Sequence, residues 1–234
     1  MRIQKYLSEQ GVASRRTVES WLAAGYITLN GVVVTEPGTH FDPEKDELIV
    51  DEKALSEKKY YYLFNKPKGI ITVGAQAGET EIKDIIKMPL GVVPVGRLDK
   101  DSGGLIMLTN DGVVARRIME PQFAHEKKYD VSFYNSLTDA AIQQLNDGIY
   151  LFGEKTKPIE VERLSGFRAI LTLREGKNRQ IRRLCAALGS PVKMLVRIQL
   201  LCFPLNNLLP GKARELTPPE VEQLYAELGL HDRL

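Results

Sequence analysis

The chain has 234 residues, 43% hydrophobic and 26% charged, with 32 basic against 30 acidic side chains and a formal net charge of +2. Such a near-average composition excludes collagen, long disorder and a disulfide scaffold, and the length suffices for one large domain or a small plus a medium one. The longest uncharged run, residues 20–35, is 16 residues broken by Gly25, Asn30 and Gly31, short of the roughly 20 apolar residues a spanning helix needs. Charges at Arg2, Lys5 and Glu9 leave no apolar stretch for a signal peptide. Cys185 and Cys202, 17 apart, match neither a metal pair nor a redox motif, so buried thiols in a reducing compartment are expected. A soluble, cytoplasmic chain with no membrane contact is the expectation.

The first segment reads as two short helices followed by small strands. Ile3, Tyr6 and Leu7 form one apolar face; Ser14 is a suitable N-cap, Val18, Trp21 and Leu22 follow at helical spacing, and Gly25 suits the stop. Asn30-Gly31 between two β-branched runs signals a hairpin, because that pair tolerates positive φ. Residues 48–50 add a strand, and the polar stretch 51–59 reads as a linker. Beyond it, strands are expected at 60–64, 92–95, 105–108, 127–133, 167–173 and 192–201. Helices are expected after Gly112, after a Thr138 cap, after an Asn178 cap with Ile181, Leu184, Cys185 and Leu188 inward, and after the Thr217–Glu220 capping box. The expected class is therefore α+β, with a module and linker at 1–58 and a larger, catalytic-sized unit at 59–234.

Charge is distributed unevenly. Between 174 and 197 seven basic residues (Arg174, Lys177, Arg179, Arg182, Arg183, Lys193, Arg197) face one acid, Glu175, and the first thirty residues carry a net +2. Acids gather at 36–52 and from Glu215 to Asp232. Two separated basic surfaces on a near-neutral chain point to local docking of a polyanion, although a solvated charged face would read the same way.

Three segments could carry chemistry. Ser14-Arg15-Arg16 places two guanidinium groups beside the free amides of a helix start, a good phosphate contact. Joined to the preceding helix and to residues 25–31, this segment resembles the S4 RNA-binding module, which implies binding of structured RNA through Ser14, Arg15 and Arg16. Residues 96–105, Gly-Arg-Leu-Asp-Lys-Asp-Ser-Gly-Gly-Leu, form a charged loop whose glycines permit tight turns. From spacing alone, Arg97 and Asp99 could form an ion pair closing a turn, or Asp99 could be a nucleophile or acid–base. In residues 174–184 the basic side chains gather at a helix amino end, opposing its dipole, so a phosphate or a buried carboxylate should compensate.

Gly96-Arg97-Leu98-Asp99, residues 105–112, Glu126-Lys127-Lys128-Tyr129 and Asn178-Arg179-Gln180-Ile181-Arg182-Arg183 together resemble, in order and spacing, the S4-domain-containing bacterial ribosomal RNA pseudouridine synthases, nearest their large-subunit branch. The resemblance spans nearly the whole chain. It implies an S4 module joined to a catalytic domain with a largely antiparallel mixed sheet flanked by helices. It implies Asp99 as the essential carboxylate, Tyr129 as the tyrosine packing on the target base and sharing in proton removal, and Arg182 as its ion-pair partner. Arg97 would lie beside the vacated base position, with Lys177 and Arg179 on RNA and Ile181 and Leu184 under the site. Departures at Ser102, where threonine is frequent, and at residues 199–201 lie away from the implied chemistry.

The implied reaction breaks uridine's N1–C1′ bond, turns the uracil and rejoins it through C5. It consumes neither water nor an oxidant, so no metal and no cofactor is expected, in line with histidines 40, 125 and 231 lacking ligand spacing. An isomerase that keeps its leaving group can use one carboxylate where hydrolases commonly use two. The target base must be flipped at a cost of a few kcal/mol, offset by stacking worth roughly 1–3 kcal/mol. Partners would be ribosomal RNA or a pre-ribosomal particle, the enzyme a monomer. The alternatives are a small-subunit (16S) synthase, a non-catalytic ribosome-assembly factor, or a nucleosidase using Asp99 and Asp101.

Overall fold

The computed structural model describes residues 1–56, 58–151 and 153–230; His231 and Asp232 lie outside them. Helices α1 (Ile3–Glu9) and α2 (Arg15–Ala23) lead into strands β1 (Ile27–Leu29), β2 (Val32–Val33) and β3 (Leu48–Val50), an antiparallel sheet in the order β2-β1-β3. Ser14 caps α2 by accepting from the Thr17 N–H at 3.1 Å, and Ile3, Leu7, Val18, Trp21, Leu22, Ile27 and Phe41 form the core beneath. Asn30 and Gly31 turn the hairpin with φ of 51° and 76°, the consecutive positive pair a mirror-image turn demands. The stretch expected as linker contains a helical turn, α3 (Glu52–Leu55), capped by Asp51, whose carboxylate accepts from the Lys53 N–H at 2.8 Å, with Ala54 buried against the module core. Its charged surface hid that single inward contact.

The larger unit runs β4 (Tyr61–Lys66), α4 (Ile82–Ile85), β5 (Val93–Pro94), β6 (Gly103–Thr109), α5 (Gly112–Met119), a 3-10 turn (Pro121–Phe123), β7 (Lys127–Phe133), α6 (Asp139–Asp147), β8 (Tyr150–Leu151) and β9 (Glu154–Lys155). It continues with β10 (Glu160–Ser165), β11 (Arg168–Leu173), α7 (Gln180–Ala187), β12 (Val192–Leu200), β13 (Phe203–Pro204), β14 (Ala213–Glu215) and α8 (Pro218–Glu227). Its main sheet has the order β10-β11-β7-β12-β6-β4-β14, with β5 and β13 added to β6 and β12. Every pairing is antiparallel except β12 with β6. This is the expected α+β class with a mixed, largely antiparallel sheet.

All seven residues of β6 are buried, because both of its faces are covered. Leu105 and Met107 face α5 and α8 through Val114, Ile118, Leu224 and Tyr225, while Ile106 and Leu108 face Phe64, Ile82 and Leu98. Val131 and Phe133 of β7 pack with Leu171, Leu195, Ile181, Leu184 and Cys185, bringing α7 against the sheet. The α7 start differs from expectation. Asn178 is not its cap; Arg179 holds that position in a left-handed conformation (φ 49°, ψ 31°), with no side-chain cap bond. Cys185 is fully enclosed and Cys202 half-buried, both free thiols.

The two units meet at α5. A Cβ on Gly112 would lie 2.2 Å from the Ser14 Cβ, so only glycine permits this approach. Arg116 donates to the Ser8 carbonyl at 3.0 Å, and Asn110 receives the Tyr60 N–H and donates to the Lys58 carbonyl, both at 2.9 Å. Among the described residues no helix is long and apolar enough to cross a membrane.

Candidate active site and RNA-facing surface

The segment between β5 and β6 is fastened from one side by the chain that follows β4. Thr72 Oγ1 donates to the Leu98 carbonyl at 2.7 Å and accepts from the Leu98 N–H at 3.0 Å. Gly69 N–H donates to the Lys100 carbonyl at 2.7 Å, and Lys100 pairs with Glu79 at 2.8 Å. Ser102 N–H closes the turn onto the Asp99 carbonyl at 3.0 Å. Asp99 therefore stands on a backbone pinned at both neighbours, its side chain 31% exposed and open to a ligand. Such pre-positioning is what a reacting carboxylate needs.

Across this loop lies the α7 start. Arg179 donates from both terminal nitrogens to the two Asp101 oxygens, at 3.1 and 3.2 Å, and its Nη1 lies 3.8 Å from Asp99 Oδ2. Arg182, with a side chain only 12% exposed, donates from Nη2 to the Asp101 carbonyl (2.8 Å) and to Ser102 Oγ (3.2 Å). Its Nε sits 3.1 Å from Asp101 Oδ2 but makes no aligned hydrogen bond, so that approach is coulombic. The resemblance implied an Arg182–Asp99 pair; the structure pairs Arg182 with Asp101 instead, and the guanidinium at Asp99 belongs to Arg179. Arg179 holds a left-handed backbone at the start of α7. Ser102, read as remote from the chemistry, is an Arg182 partner. Asp101 is also the carboxylate that offsets the basic α7 start. Burial alone would raise its carboxyl, but the Arg179 hydrogen bonds and the Arg182 charge hold it below the usual carboxylate range.

Lys66, which sequence reasoning missed, feels the charge of the same carboxylates. It is fully enclosed and donates to the carbonyls of Pro67 and Ile70 at 2.9 and 2.6 Å, shaping the turn that carries Gly69. Burial pushes its ammonium down to about 8, against the pull of Asp101 and Asp99. A lysine ending an apolar strand ahead of proline was the available signal.

Tyr129 stands on β7 opposite Arg197 and Leu171, half-buried, its ring packed where the clusters containing Leu98 and Leu171 meet. Its face is thus shared between the core and the neighbourhood of the Asp99 loop. Beside it, buried Arg197 donates to the Leu105 carbonyl at 2.6 Å, and burial pushes nearby Lys127 down to about 8, aided by the charges of Arg197 and Lys157.

Arg97 is exposed at the edge of the loop. Lys177 is exposed and ion-paired to Glu154 of the β8–β9 hairpin. On the N-terminal module Arg15 and Arg16 are exposed, whereas the Ser14 hydroxyl is committed to the helix, bonding the Thr17 N–H and, at 2.7 Å, the Thr17 hydroxyl. Arg15 also lines a surface concavity of about 540 Å³ with Met1, Arg2, Gln4, Lys5, Glu19 and His40. That basic hollow lies on the N-terminal module and contains none of the residues around Asp99.

Comparison with known proteins agrees with this architecture. Residues 1–48 match the S4 domain, and residues 60–187 match the RNA pseudouridylate synthase family. The chain is 36% identical over 233 residues to ribosomal large subunit pseudouridine synthase B of Bacillus subtilis, covering 96% of each. It is 35% identical over 230 residues to the dual-specificity RNA pseudouridine synthase RluF of Escherichia coli O6:H1, covering 96% of this chain and 78% of that one. A crystal structure of a pseudouridylate synthase superposes with a TM-score of 0.71 at 29% identity, over 96% of this chain and 99% of the other. With the family match spanning more than half its length, the chain belongs to the RNA pseudouridine synthases and is an isomerase carrying an S4 domain.

Proposed function

We propose that this enzyme converts a specific uridine to pseudouridine in large-subunit ribosomal RNA, with Asp99 as the reacting carboxylate. In this reading residues 1–58 hold the RNA and residues 59–234 carry the chemistry. The observation behind it is the pinned Asp99 loop faced by Arg179 at 3.8 Å, in a chain whose relatives at 35–36% identity include a large-subunit enzyme.

The target nucleotide is flipped from its stem, and stacking on the Tyr129 ring offsets part of that cost. Asp99 acts at the sugar while the N1–C1′ bond breaks. Either it adds at C1′, in which case the Asp99–C1′ bond breaks again as C5 attacks, or it takes the C2′ proton, which returns to C2′ once C5 has bonded. Uracil turns within the site, C5 bonds to C1′, the C5 proton leaves with the help of Tyr129, and N1 gains a proton. The product is an isomer, with no atom gained or lost. Arg97, which is exposed, would in this reading meet the detached base or the flanking phosphates.

The test is pseudouridine mapping across ribosomal RNA from cells with and without the gene, then conversion of the identified stem by purified protein. Loss of one large-subunit position is expected; loss confined to the small subunit would replace the substrate assignment. Binding should weaken steeply with salt. Replacing both Arg15 and Arg16 by alanine should flatten the slope of log K against log salt by about one to two units. An unchanged slope would take the start of α2 off the RNA.

A further inference from the structure

We propose that Asp101 is a positioning residue for the isomerisation: it holds the Arg179 guanidinium beside Asp99 without letting it bond to Asp99. The inference rests on Asp99 being the reacting group. Arg179 has a long side chain, 43% exposed, on a left-handed backbone. Unsupported, such a side chain would sample many rotamers. Here both of its terminal nitrogens donate to the two oxygens of Asp101, a fork-to-fork arrangement that fixes the guanidinium in plane and direction. In that pose Nη1 is 3.8 Å from Asp99 Oδ2, within coulombic reach yet beyond a hydrogen bond. The lone pairs of Asp99 stay free for the sugar while a positive charge stays close.

The loop backbone is fastened by other groups, Thr72, Gly69 and the 99–102 turn, although the Asp101 carboxylate also lies 3.1 Å from Arg182 Nε. Arg182 reaches the Asp101 main-chain carbonyl and Ser102 Oγ, and both bonds survive a change of the Asp101 side chain. What the carboxylate adds is the second oxygen and the negative charge that keep Arg179 from collapsing onto Asp99 or swinging into solvent. An asparagine offers one acceptor oxygen and an amide that cannot receive the second N–H.

Asp101→Asn should therefore lower kcat by about 10- to 100-fold, the scale of a misplaced active-site group. KM should stay within about threefold, whereas the melting temperature should fall, because the mostly buried Arg182 loses the negative charge 3.1 Å from its Nε. Arg179→Lys, which keeps the charge but loses the fork, should show the same kcat loss with Asp101 intact. This second variant keeps the inference testable if Asp101→Asn folds poorly. Asp101→Glu should recover part of the rate. If Asp101 acts through Arg179, the Asp101→Asn/Arg179→Gln double variant should be no slower than Arg179→Gln alone, within about threefold; independent roles would multiply. Parental kcat in Asp101→Asn or in Arg179→Lys, or a multiplicative double variant, overturns the inference. Asp99→Asn measured in parallel separates the two levels. If it is inactive while Asp101→Asn is unimpaired, only the positioning role falls; if it retains conversion, the assignment of the reacting carboxylate falls first.

Discussion

Asp99→Asn should abolish pseudouridine formation, slowing it by more than about a thousandfold, while the variant still binds its RNA stem and melts as the parent does. The size follows from the role, since removing a general acid–base costs roughly 10²–10⁴ and removing a nucleophile leaves no path to replace it. The selectivity follows from the structure. The Asp99 side chain is partly exposed and its ion pair with Arg179 spans 3.8 Å, so little stability is at stake. The fastening of the loop uses the Leu98 N–H and the carbonyls of Leu98, Asp99 and Lys100, all main-chain atoms that the substitution keeps. Removing a negative charge from a surface that meets phosphates should leave binding equal or slightly tighter. The readouts are turnover on a synthetic stem, a binding isotherm and a melting curve. Parental turnover would show that another group reacts. Conversion retained in Asp99→Asn but lost in Asp101→Asn would move the chemistry two residues along. Free uracil released by the parent enzyme would mark it as a hydrolase.

Where a segment answers to one local rule, its sequence is readable. Ser14 and Thr138 each accept from an early helical N–H, and the Thr217 N–H donates back to Glu220 in the expected capping box. Asn30-Gly31 turns the hairpin, and the alternation of Val131 and Phe133 marks the inward face of β7. Elements defined by a distant neighbour are not readable. Five of the six residues of β10 are exposed, and only pairing with β11 makes it a strand; β14 is three residues recruited by β4. The site divides the same way. Family motifs drew attention to Asp99, Tyr129 and the α7 arginines. Which arginine faces which carboxylate is set by contacts between segments about 80 residues apart, and α7 starts from a left-handed residue, Arg179, that helical spacing cannot foresee. Lys66 reads as a strand-terminal lysine until its full burial, within the field of the two aspartates, is seen.

Gly104→Ala should be the most damaging small substitution in the larger unit, lowering stability by about 3 kcal/mol or more. Two independent costs coincide there. Gly104 has φ of +102°, a conformation side chains rarely adopt, and an added Cβ would lie 2.3 Å from the Arg197 carbonyl oxygen and 2.5 Å from its nitrogen. Those are backbone atoms of β12, in the parallel pairing that joins the β10-β11-β7-β12 half of the sheet to β6, so neither can turn aside as a side chain would. Relief requires β12 and β6 to separate, which would disturb Tyr129 opposite Arg197 and the loop running straight into β6 from Asp101. For a chain of this length the loss corresponds to a fall in melting temperature of about 6–12 °C or more, with turnover falling alongside. Gly211→Ala separates strain from collision, because Gly211 has φ of +78° with nothing within 4 Å of an added Cβ, and should cost only about 1 kcal/mol. If Gly104→Ala melts no lower than Gly211→Ala, the close approach of β6 to β12 is softer than its geometry implies, and the rigidity of the platform under Asp99 must come from the Thr72 and Gly69 contacts alone.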